Sequence, residues 1–228
     1  MARTVADGMG FELTGFDRRR VPTRGMFVRD LVAAAATIVA AGAPAVAFAK
    51  DECNSQSGPD VRELWLYRRE TDETVRAPFT LDGVNIWKCG YYKLCIAFRD
   101  VSPGVDPVEG YVQVDPRMID ALWEIQRYYH SVGVDRPIEI YSGFRTPATN
   151  ERVGGTTKSY HKLARAVDFS VQGVPIGHTG KVAMALPAAL VGGLGIYHDD
   201  DHVHIDTGPR DGRVWCDHDE HTCSAAEI

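Results

Sequence analysis

Two short stretches constrain this chain more than any others. One is Ser159-Tyr160-His161-Lys162-Leu163-Ala164-Arg165-Ala166-Val167-Asp168, and the other is His202-Val203-His204-Ile205-Asp206. The second alternates as a half-buried strand does. Val203 and Ile205 face a core, while His202, His204 and Asp206 share the opposite face. Residues 166–171 alternate in the same way, with Ala166, Asp168 and Ser170 on one face and Val167, Phe169 and Val171 on the other. A fold that makes these strands neighbours brings His161, Asp168 and His204 to one point. Two imidazoles and a carboxylate, with a fourth position left to water, form the donor set of a catalytic zinc site. A lone buried His or Asp is more often a hydrogen-bonded structural residue. The three together, with their shared parity, point to a site for one Zn2+ ion.

Zinc in such a site makes water nucleophilic near neutral pH and polarises a carbonyl. Hydrolysis then needs a base to take a proton from water and pass it to the leaving group. His202 is the first candidate and Asp201 the second. Arg145, in Ser142-Gly143-Phe144-Arg145, is placed to hold a substrate carboxylate or a developing oxyanion, and its plainer role is a structural ion pair. Ser159 is either a loop cap or a group that orients a ligand or meets substrate, and Asp206 falls in the same supporting set. A second metal-rich run, Cys216-Asp217-His218-Asp219-Glu220-His221-Thr222-Cys223, lies in a polar tail spanning 216–228. A disulfide or adventitious metal binding suits it better than a second built site. His130 and His178 receive no chemical role, and His178 is expected to be exposed at the start of a helix.

The ends and the charge narrow the class. Arg18, Arg19, Arg20, Arg24 and Arg29 precede an Ala/Val-rich run over 31–49 that closes on Ala47-Phe48-Ala49. Positive region, apolar region and small-x-small box read as an export signal over 1–49, cleaved by the Sec or the twin-arginine route. The run is interrupted by Thr37, Gly42 and Pro44, so a permanent membrane span is disfavoured. The chain carries a net charge of −6, with no basic block after its first thirty residues. A nucleic-acid partner is therefore not expected. The polar residues 50–60 read as a linker, and 61–215 as one catalytic domain. All five cysteines lie beyond residue 49, in a context that permits disulfides. The local pairs are Cys89 with Cys95 and Cys216 with Cys223.

The elements read as follows. Residues 63–68 and 74–79 form a hairpin. Asp115-Pro116 starts a helix that ends near 130–133. Residues 137–142 form a strand, and Thr146-Pro147 opens a short helix stopped by Gly154-Gly155. Another helix begins near Thr179 and runs through Leu186, and residues 194–197 and 203–207 make a hairpin across His198-Asp199-Asp200-Asp201. Residues 81–110 show no clear pattern. The absence of a βαβ rhythm argues for an α+β fold: a small, mainly antiparallel sheet with flanking helices.

Tyr141-Ser142-Gly143-Phe144-Arg145-Thr146-Pro147-Ala148-Thr149-Asn150 resembles the Ser-Gly-Tyr-Arg-Ser-Pro-x-x-Asn signature of the murein endopeptidase K (YcbK-like) family. Ser159-x-His161-x6-Asp168 and Gly192-Gly193-Leu194-Gly195-Ile196-Tyr197…Val203-His204-Ile205-Asp206-Thr207-Gly208-Pro209 resemble its other blocks, in order, and Trp215 matches a tryptophan near its C-terminus. The resemblance covers roughly 61–215. It implies the hedgehog/DD-peptidase fold and zinc-dependent cleavage of peptidoglycan cross-links in the periplasm. It also implies His161, Asp168 and His204 as ligands and Arg145 as the substrate or transition-state arginine. His202 departs from the family, which usually has an apolar or aromatic residue there. The related D-Ala-D-Ala carboxypeptidases carry His-x-His at that place. The alternatives are therefore such a carboxypeptidase, or a non-catalytic zinc-dependent module that binds cell wall.

Overall fold

The computed structural model describes residues 57–216 and Cys223. The expected export signal, residues 50–56 of the expected linker, and tail residues 217–222 and 224–228 lie outside the described residues.

The hairpin comes first, as β1 (Arg62–Arg68) and β2 (Glu73–Thr80). The patternless stretch contains a helix, α1 (Lys88–Ala97). Next is α2 (Pro116–Ser131), where the Asp115 carboxylate accepts the Arg117 N–H at 3.0 Å. That bond satisfies one of the orphan donors at the helix start, and proline at the first position loses no hydrogen bond. There follow β3 (Ile138–Ser142), α3 (Pro147–Arg152) capped by Thr146, and a single 3-10 turn over Tyr160–Leu163. The chain continues with β4 (Ala166–Val171), α4 (Ile176–Met184), β5 (Gly193–Tyr197), β6 (His202–Asp206) and β7 (Arg213–Cys216).

The seven strands make one sheet in the order β2-β1-β3-β4-β6-β5-β7. Pairs β1–β3 and β5–β7 are parallel and the other four are antiparallel, in line with the mainly antiparallel α+β expectation. One face of the sheet is the core. Leu64, Leu66, Ile140, Phe169, Val203 and Ile205 pack there with Leu94 of α1, Leu122 of α2 and Val182 of α4. Each such side chain contributes about 1.5–3 kcal/mol by leaving water. Because strand side chains alternate, this apolar face forces Asp168, Ser170, His202, His204 and Asp206 onto the other one. Among the described residues no helix is long and apolar enough to cross a membrane.

Three expectations need correction. Cys89 is disulfide-bonded, but Cys95 is a free, buried thiol, so they are not a pair. Both lie on α1, six residues apart. A helix rises about 9 Å over that span, beyond the roughly 7 Å that a disulfide tolerates between Cα atoms. Cys216 and Cys223 are bonded, as expected. The fourth helix starts at Ile176 rather than near Thr179, after Pro175, and ends before Leu186. His178 consequently sits within the helix and is half-buried, its Nδ1 2.9 Å from Tyr129 Oη.

Gln126 of α2 extends the sheet where β3 has not yet begun. Its side-chain amide accepts from Trp65 N–H and donates to Trp65 C=O, both at 2.9 Å. Replacing it by Leu leaves both backbone groups unpaired, each costing about 1–3 kcal/mol. Gln126→Leu should lower the stability measured by urea denaturation by at least about 2 kcal/mol, with the denaturant slope unchanged.

Candidate metal centre

The site begins with strand register. In the β4–β6 ladder Asp168 stands directly opposite His204, and Val167 opposite Ile205. Two side chains facing one another on the same side of neighbouring strands come within about 5.5 Å at Cβ. Here the Asp168 Oδ1 and His204 Nδ1 atoms lie 2.7 Å apart. His161 arrives from the 3-10 turn just before β4 and places Nε2 3.2 Å from the same Oδ1 and 3.3 Å from His204 Nδ1. Three potential ligand atoms, one from each residue, thus lie within 4.8 Å of one another.

Neighbouring groups fix how each donor presents itself. The far nitrogen of His161, Nδ1, lies 2.7 Å from the Gly143 carbonyl oxygen. A carbonyl only accepts, so Nδ1 carries the proton and Nε2 turns its lone pair inward. Gly143 is required for the packing of its loop on Phe98, because a Cβ there would stand 2.5 Å from the Phe98 carbonyl oxygen. On the other flank His204 Nε2 faces Asp206 Oδ2 at 3.8 Å. Asp206 is itself almost wholly buried, and accepts from Gly208 N–H at 2.7 Å and from Arg213 Nη2 at 3.3 Å. A carboxylate behind a histidine in this way holds the ring orientation and raises its basicity.

Arg145 belongs to the same cluster. Its Nη2 donates to Asp168 Oδ2 at 2.5 Å and its Nε to Ser142 Oγ at 2.7 Å. The backbone around it is clamped at three successive amides: Phe144 N–H to Phe98 C=O, Arg145 N–H to His161 C=O, and Thr146 N–H to Asp100 Oδ2. Sequence reasoning places Arg145 against substrate; the structure adds that it fixes the outer oxygen of Asp168.

The electrostatics suit a cation. Burial opposes the charge of Asp168, but His161 and His204 hold its carboxyl well below the usual range. Burial also outweighs the pull of Asp168 on His161 and lowers that imidazole. Burial opposes the charge of His204 as well, yet its hydrogen bond to Asp168 and the nearby Asp206 carboxylate raise it to about 9. One positive charge between two buried carboxylates is what the cluster holds; a divalent ion with displacement of the His204 proton meets the same demand. The donors therefore fit a metal of the zinc type, with two nitrogens and one oxygen.

The remaining expected residues are spread around this trio. His202, half-buried on the same face of β6 as His204, stacks on Tyr197 with ring centroids 4.5 Å apart and 19° between planes. Tyr141 lies 5.9 Å from it on the other side. Asp201 is exposed in the turn before β6, at φ 54°. Ser159 precedes the 3-10 turn and makes no side-chain cap bond there. Sequence reasoning missed the ring walls. Trp215 lies 5.5 Å from the His204 ring and donates Nε1–H to Tyr197 Oη at 2.8 Å. The signal for it was Gly195, whose missing side chain leaves room for the indole, since a Cβ there would stand 2.6 Å from it.

Known proteins resemble this chain. The family described as Peptidoglycan L,D-endopeptidase MepK matches residues 56–215. Proteins named Peptidoglycan L,D-endopeptidase MepK from Escherichia coli and Shigella flexneri are each 32% identical over 164 residues, covering 70% of this chain and 82% of their own. A Probable peptidoglycan L,D-endopeptidase MepK from Haemophilus influenzae is 31% identical over 109 residues, which is 45% of this chain and 54% of that one.

A pH dependence follows. The His204 value of about 9 lies above the ordinary 6.5, so the metal-free fold gains stability from the bound proton at low pH and loses it as pH rises through about 9. A metal bound here would compete with the proton for His204, so metal affinity should have the opposite trend. Chelator competition should show zinc affinity rising about tenfold per pH unit on approach to pH 9 and then levelling. Asp206→Asn should move the levelling point lower and weaken the plateau affinity by about 10–100-fold.

Proposed function

The chain belongs to the Peptidoglycan L,D-endopeptidase MepK family, and from that membership we propose that it is an exported zinc metallopeptidase that hydrolyses L,D-peptide cross-links of peptidoglycan. The observation that carries the metal part is the convergence of His161, Asp168 and His204, with inward donor atoms backed by the Gly143 carbonyl and the Asp206 carboxylate. The substrate class rests on the family and on the relatives' names. Export to the periplasm rests on the arginine-led apolar segment over 1–49.

His161, Asp168 and His204 would hold one Zn2+ ion, which would supply Lewis acidity for activating water near neutral pH and polarising the scissile carbonyl. His202 takes the proton from the attacking water and delivers it to the leaving amine. Its ring is steadied for that task by Tyr197 on one side and Tyr141 on the other. Asp201 is the second candidate for the base. Arg145 keeps Asp168 in place and adds a positive charge near the developing oxyanion. Ser159 stands at the entrance of the ligand-bearing turn, where it meets substrate.

Digestion of purified peptidoglycan, with muropeptides identified by mass spectrometry, tests this. Zinc-loaded wild type should convert cross-linked dimers to monomers. Chelation or His204→Ala should abolish the conversion, and His202→Ala should lower kcat by about 100-fold or more. Intact cross-links with a terminal D-Ala removed would identify a D-Ala-D-Ala carboxypeptidase instead. Binding to cell wall without any new product would identify a non-catalytic module. Full activity in His202→Ala, with loss in Asp201→Ala, would move the base to Asp201.

A further inference from the structure

The acyl-transfer chemistry proposed above develops negative charge on the scissile carbonyl oxygen, and a directional donor aimed at that oxygen is usually the largest single contribution a protein makes. Arg145 serves this need from one side only. Two of its donors are engaged inside the protein, Nε with Ser142 Oγ and Nη2 with Asp168 Oδ2. In the sheet order β3-β4-β6-β5, Arg145 follows β3 and lies beside Asp168 on β4. The opposite flank of the centre is β5.

That flank presents Tyr197. Across the ladder Tyr197 pairs with His202, and Gly195 pairs with His204. Gly195 also pairs with Trp215 of β7. With no side chain at Gly195, the indole leans across the gap and lies 5.5 Å from the His204 ring. From there its Nε1–H donates to Tyr197 Oη at 2.8 Å. An indole nitrogen donates and never accepts. The phenol oxygen is therefore an acceptor in this bond, and its proton points elsewhere. The phenol ring is held from its face by the His202 stack at 4.5 Å. Two independent contacts, one at the hydroxyl and one at the ring, thus fix Tyr197 beside the centre. Such preorganisation is what an oxyanion donor needs, because no reorientation is left to pay at the moment of reaction.

We infer that Tyr197 is a catalytic residue, its hydroxyl donating a hydrogen bond to the oxyanion that forms on the scissile carbonyl, with Trp215 as the positioning residue that aims it. The inference rests on the reading of the centre as a zinc peptidase. The proton stays on the tyrosine throughout; no bond to Tyr197 forms or breaks. A phenol ordinarily loses its proton only near pH 10, and burial pushes Tyr197 upward from there, so it enters the reaction as a hydroxyl. With Arg145 on the β3 side and Tyr197 on the β5 side, the carbonyl oxygen is bracketed by two groups that favour its charged form.

The test is Tyr197→Phe in the zinc-loaded full chain, which removes one oxygen and keeps the ring on His202. Four quantities are compared with wild type: kcat and KM on a purified cross-linked muropeptide dimer, zinc affinity by chelator competition, and calorimetric affinity for a phosphinate mimic of the tetrahedral intermediate. The expected result is kcat lowered about 100-fold, KM within about threefold, zinc affinity unchanged and phosphinate binding weakened in step with kcat. Trp215→Phe should give a smaller loss in kcat with the same pattern, since the hydroxyl is kept but no longer aimed. Unchanged kcat in Tyr197→Phe overturns the inference. So does a higher KM at constant kcat, which means ground-state binding alone, and so does weakened zinc affinity, which means a structural role in the centre. If wild type itself leaves the dimer intact, the peptidase reading has failed, and the phosphinate and zinc measurements still report on Tyr197 separately.

Discussion

The register of one pair of strands governs this molecule. Asp168 faces His204 because β4 and β6 are antiparallel with Phe169 opposite Val203 and Val167 opposite Ile205. The apolar residues set that register, since slipping either strand by one residue would turn its whole core set toward solvent. The energy that aligns the site is therefore the hydrophobic energy of the core on the other face. Phe169, Val203 and Ile205 are each almost fully buried, and the donors are held in place without contributing to that burial themselves.

Around this register the cluster is built in layers of hydrogen bonds and charge contacts. Every donor has a neighbour that determines its direction: Gly143 for His161, Arg145 for Asp168 and Asp206 for His204. Those neighbours are secured in turn. The loop bearing Gly143 and Arg145 is pinned to Phe98 and Asp100, and Asp206 is pinned by Gly208 and Arg213. Burial works against each charge in the cluster. The outcome is decided by pairing: Asp168 stays ionised, His161 is driven toward neutrality, and His204 keeps its proton until a stronger cation replaces it.

What could be read from the sequence was what alternation controls. The strands β1, β3 and β6 show period-two burial. Strand β4 is buried throughout and β5 at all but its last residue, so that their alternation is one of residue type rather than of exposure. The three converging groups followed from parity plus adjacency. The capped helices at Asp115-Pro116 and Thr146-Pro147 were equally legible, because their start signals are local. The first helix was not. Its N-terminal flank, Trp87, gives no side-chain cap, and its buried face is made of Gly90, Tyr91, Leu94, Cys95 and Ala97, a mixture without a clean apolar stripe. The misassigned Cys89–Cys95 pair came from the same gap, since a helix there separates the two thiols. The edge strand β7 is only four residues long, and with it went the partnership of Trp215 and Tyr197. That partnership depends on a parallel pairing and an absent side chain at Gly195, neither of which leaves a periodic trace. His202 was visible as a polar-face residue, but its aromatic stack required the fold.

The proposed activity turns on these three side chains sharing one ion. The most direct measurement is zinc X-ray absorption on the purified, zinc-loaded chain, with metal content determined on the same sample. The expected result is one zinc per chain, bound only through light atoms at about 2.0–2.2 Å, with the multiple-scattering pattern of two imidazoles. Sulfur scattering near 2.3 Å would place the metal on cysteine instead. That outcome, or a chain that retains no stoichiometric zinc, would contradict a centre made by His161, Asp168 and His204.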